Sequence, residues 1–405
     1  MSSEPLTASS PADFRRRFRL SAWLLRKILP TPAVGALRIE TPNRDRIELR
    51  AAAAGPEASL TIVRWRCLWR LITAGEIGFA DSYIDGDWST PDLRDLLYWA
   101  FQNEQKLAQR SRGSFIARIV FRLSHMFRAN TKRGSRRNIA AHYDLGNEFY
   151  RQWLDRSMSY SSAIFTSRDQ PLADAQQTKL DRIEAMLDIK GAENVLEIGF
   201  GWGGVVERLA GRDCKITGLT LSTEQLAFSQ ERIANNGRAA QADLRLQDYR
   251  DVAGQFDRIV SIEMLEAVGE KYWPVYFAKL RECLKSSGTC VLQVITIAED
   301  RFDDYRSRPD YIQRHIFPGG MLPTKAIIGE MAARAGLTLI EQIDFGHSYA
   351  QTLQHWRRRF LDSWPAIEKL GFDLRFKRMW EYYLGYCEVG FLGNAIDVSL
   401  VKLRG

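Results

Sequence analysis

The 405-residue chain contains nothing close to the roughly 18 uninterrupted apolar residues that a membrane-spanning helix needs. Its opening, MSSEPLTASSPADF, lacks the apolar core of a secretory signal. Cysteine is scarce: Cys67, Cys214, Cys283, Cys290 and Cys387 are scattered, with no CxxC pair and no disulfide-framework spacing. A reducing cytoplasm fits that usage. No His, Cys and Asp cluster has metal-ligand spacing, so no metal is expected. There are no sequence-scale repeats. Acidic residues vanish altogether between Lys106 and Tyr143.

What fills that gap is basic: Arg110, Arg112, Arg118, Arg122, Arg128, Lys132, Arg133, Arg136 and Arg137. Among them Phe115, Ile116, Ile119, Val120 and Leu123 recur at helical spacing, which predicts a basic amphipathic helix. Phe14–Leu29 is a second such stretch, with Arg15, Arg16, Arg17, Arg19, Arg26 and Lys27 around Phe18, Trp23, Leu24 and Leu25. These two account for much of the formal net charge of +8. Helices of this kind lie in the interface of an anionic membrane; a solvated face packed on a core is the competing reading. Nucleic acid ranks last, because no nucleic-acid motif accompanies the charge.

The length allows two domains and a large core. Residues 1–12 read as a loose tail, 13–125 as an N-terminal lipid- or membrane-interacting unit with a hairpin region around Ala36–Val63, and 126–138 as a basic linker. From 139 to 405 strands alternate with helices. Strands are expected at Asn194–Ile198, Lys215–Leu219, Phe256–Ser261 and Gly288–Val294, and helices at Glu224–Asn235 and Trp273–Leu284. Such alternation predicts a mostly parallel sheet covered on both faces.

Glu197-Ile-Gly-Phe-Gly-Trp-Gly-Gly204 stands where the first of these strands ends and a helix begins. Glycines there let the backbone turn tightly and approach a ligand. The run is E-x-G-x-G-x-G, not the G-x-G-x-x-G of dinucleotide sites. A carboxylate before the glycines suits the ammonium of S-adenosylmethionine (SAM) and repels a pyrophosphate.

The sequence resembles the cyclopropane-fatty-acyl-phospholipid synthase family, including the mycolic acid cyclopropane synthases, from about residue 75 to the C-terminus. The resemblance rests on His142-Tyr-Asp-Leu-Gly-Asn147, Met158-Ser-Tyr-Ser161, the Glu197 glycine run, Thr220-Leu-Ser-Thr-Glu-Gln225, Phe317-Pro-Gly-Gly-Met-Leu-Pro323 and Tyr382-Tyr-Leu-Gly-Tyr-Cys387. It implies an α/β fold: a Rossmann-like class I SAM-dependent methyltransferase sheet with helices on both faces, and a smaller N-terminal α+β domain. It implies that Tyr160 and Ser161 contact the methionine portion of SAM and that Gly199, Gly201 and Gly203 line the cofactor. Thr220, Leu221 and Gln225 would hold its ribose and adenine side, with Asp248 and Tyr249 flanking the adenine. Gln225 must stand in for the usual ribose-binding acid, since Gly218-Leu-Thr-Leu follows the second strand.

The implied reaction is methyl transfer to the cis double bond of an unsaturated acyl chain on a membrane phospholipid. It leaves a carbocation that must be shielded from water and must lose a proton. Loss from the new methyl closes a cyclopropane; hydride migration first gives a methyl- or methylene-branched chain. Tyr349, Trp356, Trp380, Tyr382, Tyr383, Tyr386 and Phe391 offer cation-stabilising faces, or else core and acyl-tunnel lining. The resemblance implies a bound bicarbonate as base, held by Glu266 and Tyr349. Glu263 lies in the same loop, where a capping or supporting role competes with a catalytic one. Two departures alter the anion cage: Ser162 follows Tyr-Ser where well-known members carry Cys, and Ile295 is expected where some carry His. Cys387 matches a position often described as an active-site cysteine, though packing suits it better; His142 is a candidate base or lid-ordering residue.

An amine N-methyltransferase of similar fold and a non-catalytic lipid-binding protein are the competing readings. The basic N-terminal unit and aromatic C-terminal region favour lipid; the intact glycine run, Gln225 and Glu266 favour catalysis. The expected setting is cytoplasmic, peripheral to the inner face of the membrane, with a homodimer compatible with the sequence.

Overall fold

The structure, a computed structural model, describes Leu25, residues 29–111 and residues 145–405. The tail 1–12, most of both basic amphipathic stretches, the 126–138 linker and His142 lie outside the described residues. The chain falls into two compact units, Met1–Ala117 and Arg118–Gly405.

In the first unit, β1 (Val34–Glu40), β2 (Arg46–Arg50), β3 (Ala53–Ile62) and β4 (Trp88–Ser89) form a sheet in the order β2-β1-β3-β4. β1 and β2 pair antiparallel as a hairpin. β3 then runs parallel to β1, so the 36–63 region holds a third strand that its hairpin reading did not include. Trp88 is fully buried, stacks on Phe79 at 4.3 Å and donates its indole N–H to the Phe79 carbonyl at 2.8 Å. Asn103 fastens the following helix, Leu93–Gln102, to the sheet. Its Oδ1 accepts from the amides of Ala33 (2.6 Å) and Val34 (3.1 Å), and its Nδ2 donates to the carbonyls of Val34 (3.2 Å) and Trp99 (2.9 Å). Asn103→Ala removes all four of these side-chain hydrogen bonds, three of them part-buried and one buried. The expected cost is about 2 kcal/mol of this unit's stability by urea unfolding; an unchanged midpoint contradicts the bracing role.

The second unit is built on a sheet of order β10-β11-β9-β8-β5-β6-β7. Its strands are β5 (Asn194–Ile198), β6 (Lys215–Thr220), β7 (Ala242–Leu246), β8 (Phe256–Ile262), β9 (Leu284–Ile297), β10 (Thr338–Asp344) and β11 (Ile396–Arg404). β5 to β9 pair in parallel, while β11 lies antiparallel between β9 and β10. Val195 through Ile198 are buried on both faces of the sheet, the continuous burial that parallel strands require. Side chains alternate between two cores: Leu196, Ile259 and Leu292 pack under the helix Trp273–Cys283. Val195, Val260 and Val291 pack under the helices Leu172–Leu187 and Gly204–Ala210.

The four expected strands and two expected helices of this unit are present. From β5 the order runs outward both ways, to β6 on one side and β8 on the other. A crevice for ligands opens at the carboxyl ends of strands where the order reverses in this manner. No helix of the described residues is long and apolar enough to cross a membrane.

Candidate active site

At the end of β5 the chain turns through Gly199, Gly201 and Gly203, all with left-handed φ (82°, 55° and 81°). The turn is stitched to β6 by the Gly199 and Phe200 amides, which both donate to the Leu219 carbonyl at 2.9 and 3.2 Å. A Cβ on Gly199 would stand 2.4 Å from Met264 Cγ, whereas one on Gly201 would project into open space. Gly203 caps the helix Gly204–Ala210.

Glu197, just before the turn, is 2% exposed, and its Oε2 is buried with no hydrogen-bond partner among the described residues. Burial pushes this carboxyl up to about 8, against the opposing charge of Lys179. Such a carboxyl is poised to receive a cationic donor. Across the turn Thr220 donates to Gln225 Oε1 at 2.9 Å, which commits that acceptor and keeps the amide NH2 as the donor for a ribose; Leu221 is half-buried beside it. Asp248 is held by Arg250 at 2.8 and 2.6 Å. Tyr249 packs edge-on to Tyr276 within the core, so its ring is less open for stacking than its sequence position suggests.

Residues 160–162 are tied to the glycine-turn carboxyl through Lys179. Tyr160 shares a hydrogen bond with Tyr383 (OH to OH 2.9 Å) and packs against Trp356 at 5.3 Å. Ser161 Oγ accepts from Lys179 Nζ at 2.8 Å. Lys179 is 2% exposed and lowered to about 8 by burial, which the charges of Glu263, Asp155 and Glu197 oppose. Sequence reasoning passed it over. The signal was there: in the helix Leu172–Leu187 it sits on the apolar stripe of Leu172, Ala175, Leu180 and Ile183, where a lysine needs a partner.

The second focus lies after β8. Glu263, not Glu266, is the acid that Tyr349 addresses. Tyr349 OH donates to Glu263 Oε2 at 2.8 Å; the Ser162 amide and Gln293 Nε2 donate to its Oε1 at 2.9 and 2.8 Å. Ser162 itself is fully buried, its hydroxyl donating to the Ala163 carbonyl. Glu266 accepts from the Ile295 amide through Oε1, while its Oε2 is buried without a partner among the described residues. Burial and then the neighbouring Glu263 push Glu266 up to about 8. Ile295 thus contributes its backbone N–H, and the β9 side chain that enters the cluster is Gln293.

Aromatic rings wall this focus: Tyr349 stacks on Phe391 at 4.5 Å and meets Trp356 edge-on at 6.0 Å. Burial pushes the Cys387 thiol well above the ordinary thiol range, with Asp310 and Glu263 adding to the effect. A thiol held protonated is a poor nucleophile.

The residues at the glycine turn fit SAM: a turn whose middle position leaves space for a ligand, a buried carboxyl with one unpartnered oxygen for its ammonium, and a glutamine donor for its ribose. Sheet order and turn together define the class I SAM-dependent methyltransferase fold. The family model for mycolic acid cyclopropane synthetase matches residues 130–401, and the chain belongs to that family. It is 40% identical over 356 residues (85% of this chain, 83% of the relative) to the tuberculostearic acid methyltransferase UfaA1 of Mycobacterium tuberculosis. It is 34% identical over 338 residues (83% and 85%) to the cyclopropane-fatty-acyl-phospholipid synthase of Escherichia coli. Among solved structures, a mycolic acid cyclopropane synthase complexed with SAH and CTAB superposes with a TM-score of 0.63 at 28% identity, covering 67% of this chain and 98% of that one. The chain is a SAM-dependent methyltransferase.

Proposed function

We infer that the chain methylates the double bond of an unsaturated fatty acyl chain carried on a phospholipid. The observation that carries this reading is the aromatic-walled pair of buried carboxyls, Glu263 and Glu266, beside the Tyr160–Ser162 segment. An amine substrate brings its own lone pair and needs only removal of an ammonium proton. An alkene passes through a carbocation, which calls for aromatic faces, exclusion of water and a fixed proton acceptor. Bound SAM supplies the methyl group on a positively charged sulfur. The chain's own residues orient the partners and take the proton. The names of the two relatives, a tuberculostearic acid methyltransferase and a cyclopropane-fatty-acyl-phospholipid synthase, support an acyl substrate.

Whether the product is a ring or a branch turns on which proton leaves. The enzyme would reach its lipid from the cytoplasmic membrane surface, with the basic stretches as the anchor; binding to anionic vesicles that weakens with salt is the corresponding expectation. Purified chain with SAM and vesicles of unsaturated phosphatidylglycerol should release S-adenosylhomocysteine, and vesicles of the saturated lipid should release none. Equal release from both lipids would contradict methylation of the double bond.

A further inference from the structure

We propose that Glu263 is the chain's own base for the final proton, occupying the cradle that the family resemblance assigns to a bound bicarbonate. The proposal rests on the alkene-methylation reading above. The cradle is a built one. A backbone amide (Ser162), a side-chain amide (Gln293) and a phenol (Tyr349) converge on the two oxygens of one carboxylate at 2.9, 2.8 and 2.8 Å. Two of these residues, Ser162 and Tyr349, belong to the set expected around an external anion. Here the anion they hold is covalently part of the protein, and a second one would have to displace it against like charge.

The backbone supports the same conclusion. Glu263 has φ +52°, a conformation that a residue with a side chain adopts at a cost and that persists only where its surroundings enforce it. Its own amide donates to the Gln293 carbonyl at 2.8 Å, so Gln293 fixes Glu263 through both main chain and side chain. Glu266 is poorly suited to the task at neutral pH. Burial raises both carboxyls, but at Glu263 the Ser162 amide, Tyr349, Gln293 and the charge of Lys179 oppose the rise, whereas Glu266 has only backbone donors and is pushed up to about 8; the pair's negative charge is favoured where the three donors are, on Glu263. Tyr349 donates one hydrogen bond to Oε2, and a carboxylate oxygen has a second lone pair to receive a proton.

The step balances. A C–C bond forms between the methyl carbon and one alkene carbon as the S–CH3 bond breaks, leaving the other alkene carbon cationic. Glu263 then takes a proton from the new methyl group. The freed C–H pair closes the ring, or, after a hydride has moved from the methyl-bearing carbon, forms a C=CH2 bond. Glu263 ends as a carboxylic acid and returns its proton to solvent after product leaves.

The test uses the full-length chain, unsaturated phosphatidylglycerol vesicles and SAM in buffer stripped of CO2, with and without added sodium bicarbonate. Wild-type turnover is expected to be indifferent to bicarbonate. Glu263→Gln should lose about 100-fold or more in turnover while calorimetry shows SAM bound as in the wild type. Glu263→Gly, which relieves the backbone and empties the cradle, should be equally slow and should recover activity when bicarbonate or acetate is added. Active wild type that stops without bicarbonate and restarts with it would overturn the proposal alone, as would Glu263→Gln at full rate. Wild type inactive on every unsaturated lipid would overturn both the proposal and the reading beneath it.

Discussion

Gly201→Val is expected to weaken SAM binding by about 100-fold or more, with the protein still folded. The site is a turn whose φ of 55° suits glycine, and a Cβ there meets no protein atom within 4 Å. A branched side chain therefore pays the backbone penalty, about 1–3 kcal/mol, and fills the space the ligand needs. Gly371 separates the two effects. It has φ +98° and equally open surroundings, but lies after the helix Trp364–Lys369, outside the glycine turn. Gly371→Val should lose similar stability and keep SAM affinity. If calorimetry finds both variants binding normally, the glycine turn does not hold the cofactor.

Apo-protein stability should fall steadily as pH rises from about 5 to about 8. Burial raises Glu197 and Glu266 from an ordinary 4.5 to about 8. Asp310 is raised from 3.8 to about 6. Through this window the folded chain keeps protons that the unfolded chain has released. The stabilisation is complete below the unfolded values and is lost as pH climbs through the folded ones, with a slope on the order of 1 kcal/mol per pH unit for each carboxyl. His355, lowered by burial, opposes the trend below 6.5. Urea unfolding across the range reads the slope directly. Glu197→Gln should flatten it, because the amide has no proton to lose. SAM should flatten it as well, since its ammonium gives Glu197 a reason to ionise. A slope unchanged by both would mean that Glu197 is not the carboxyl facing the ligand.

The strands legible from sequence were those that physics makes conspicuous. β5, and β9 from Gly288 to Val294, are continuously buried and mostly apolar, the pattern of strands covered on both faces, and β6 and β8 carry shorter buried runs toward their carboxyl ends. β7, β10 and β11 went unread. β7 and β10 are flank strands whose residues are mostly half-exposed or exposed, so neither shows a continuous apolar run. β11 is buried but follows the helix Leu374–Leu392 with no glycine motif to mark it.

The cofactor turn was legible because its chemistry is local: seven consecutive residues carry both the turn and the carboxyl. The second focus was legible only through the family resemblance, which implies Ser162, Glu266 and Tyr349 around one anion; the part of Gln293 and the central place of Glu263 were not, because Ser162, Glu263, Gln293 and Tyr349 come from four separate elements and only the folded sheet brings them together. Sequence assigns side chains, not backbone groups, so the hydrogen bond from the Ile295 N–H to Glu266 appears only in the structure. Choosing between Glu263 and Glu266 needed the hydrogen bonds themselves.

The most direct test of the account is where the methyl carbon ends up. Purified chain, SAM labelled with 13C in its methyl group, and an unsaturated phospholipid should yield, after hydrolysis, label in the fatty acid alone. By NMR it should be bonded to former alkene carbons, as a ring CH2, a methyl branch or an exocyclic methylene. Label recovered in the headgroup or on a soluble amine, with the acyl chain bare, would contradict it.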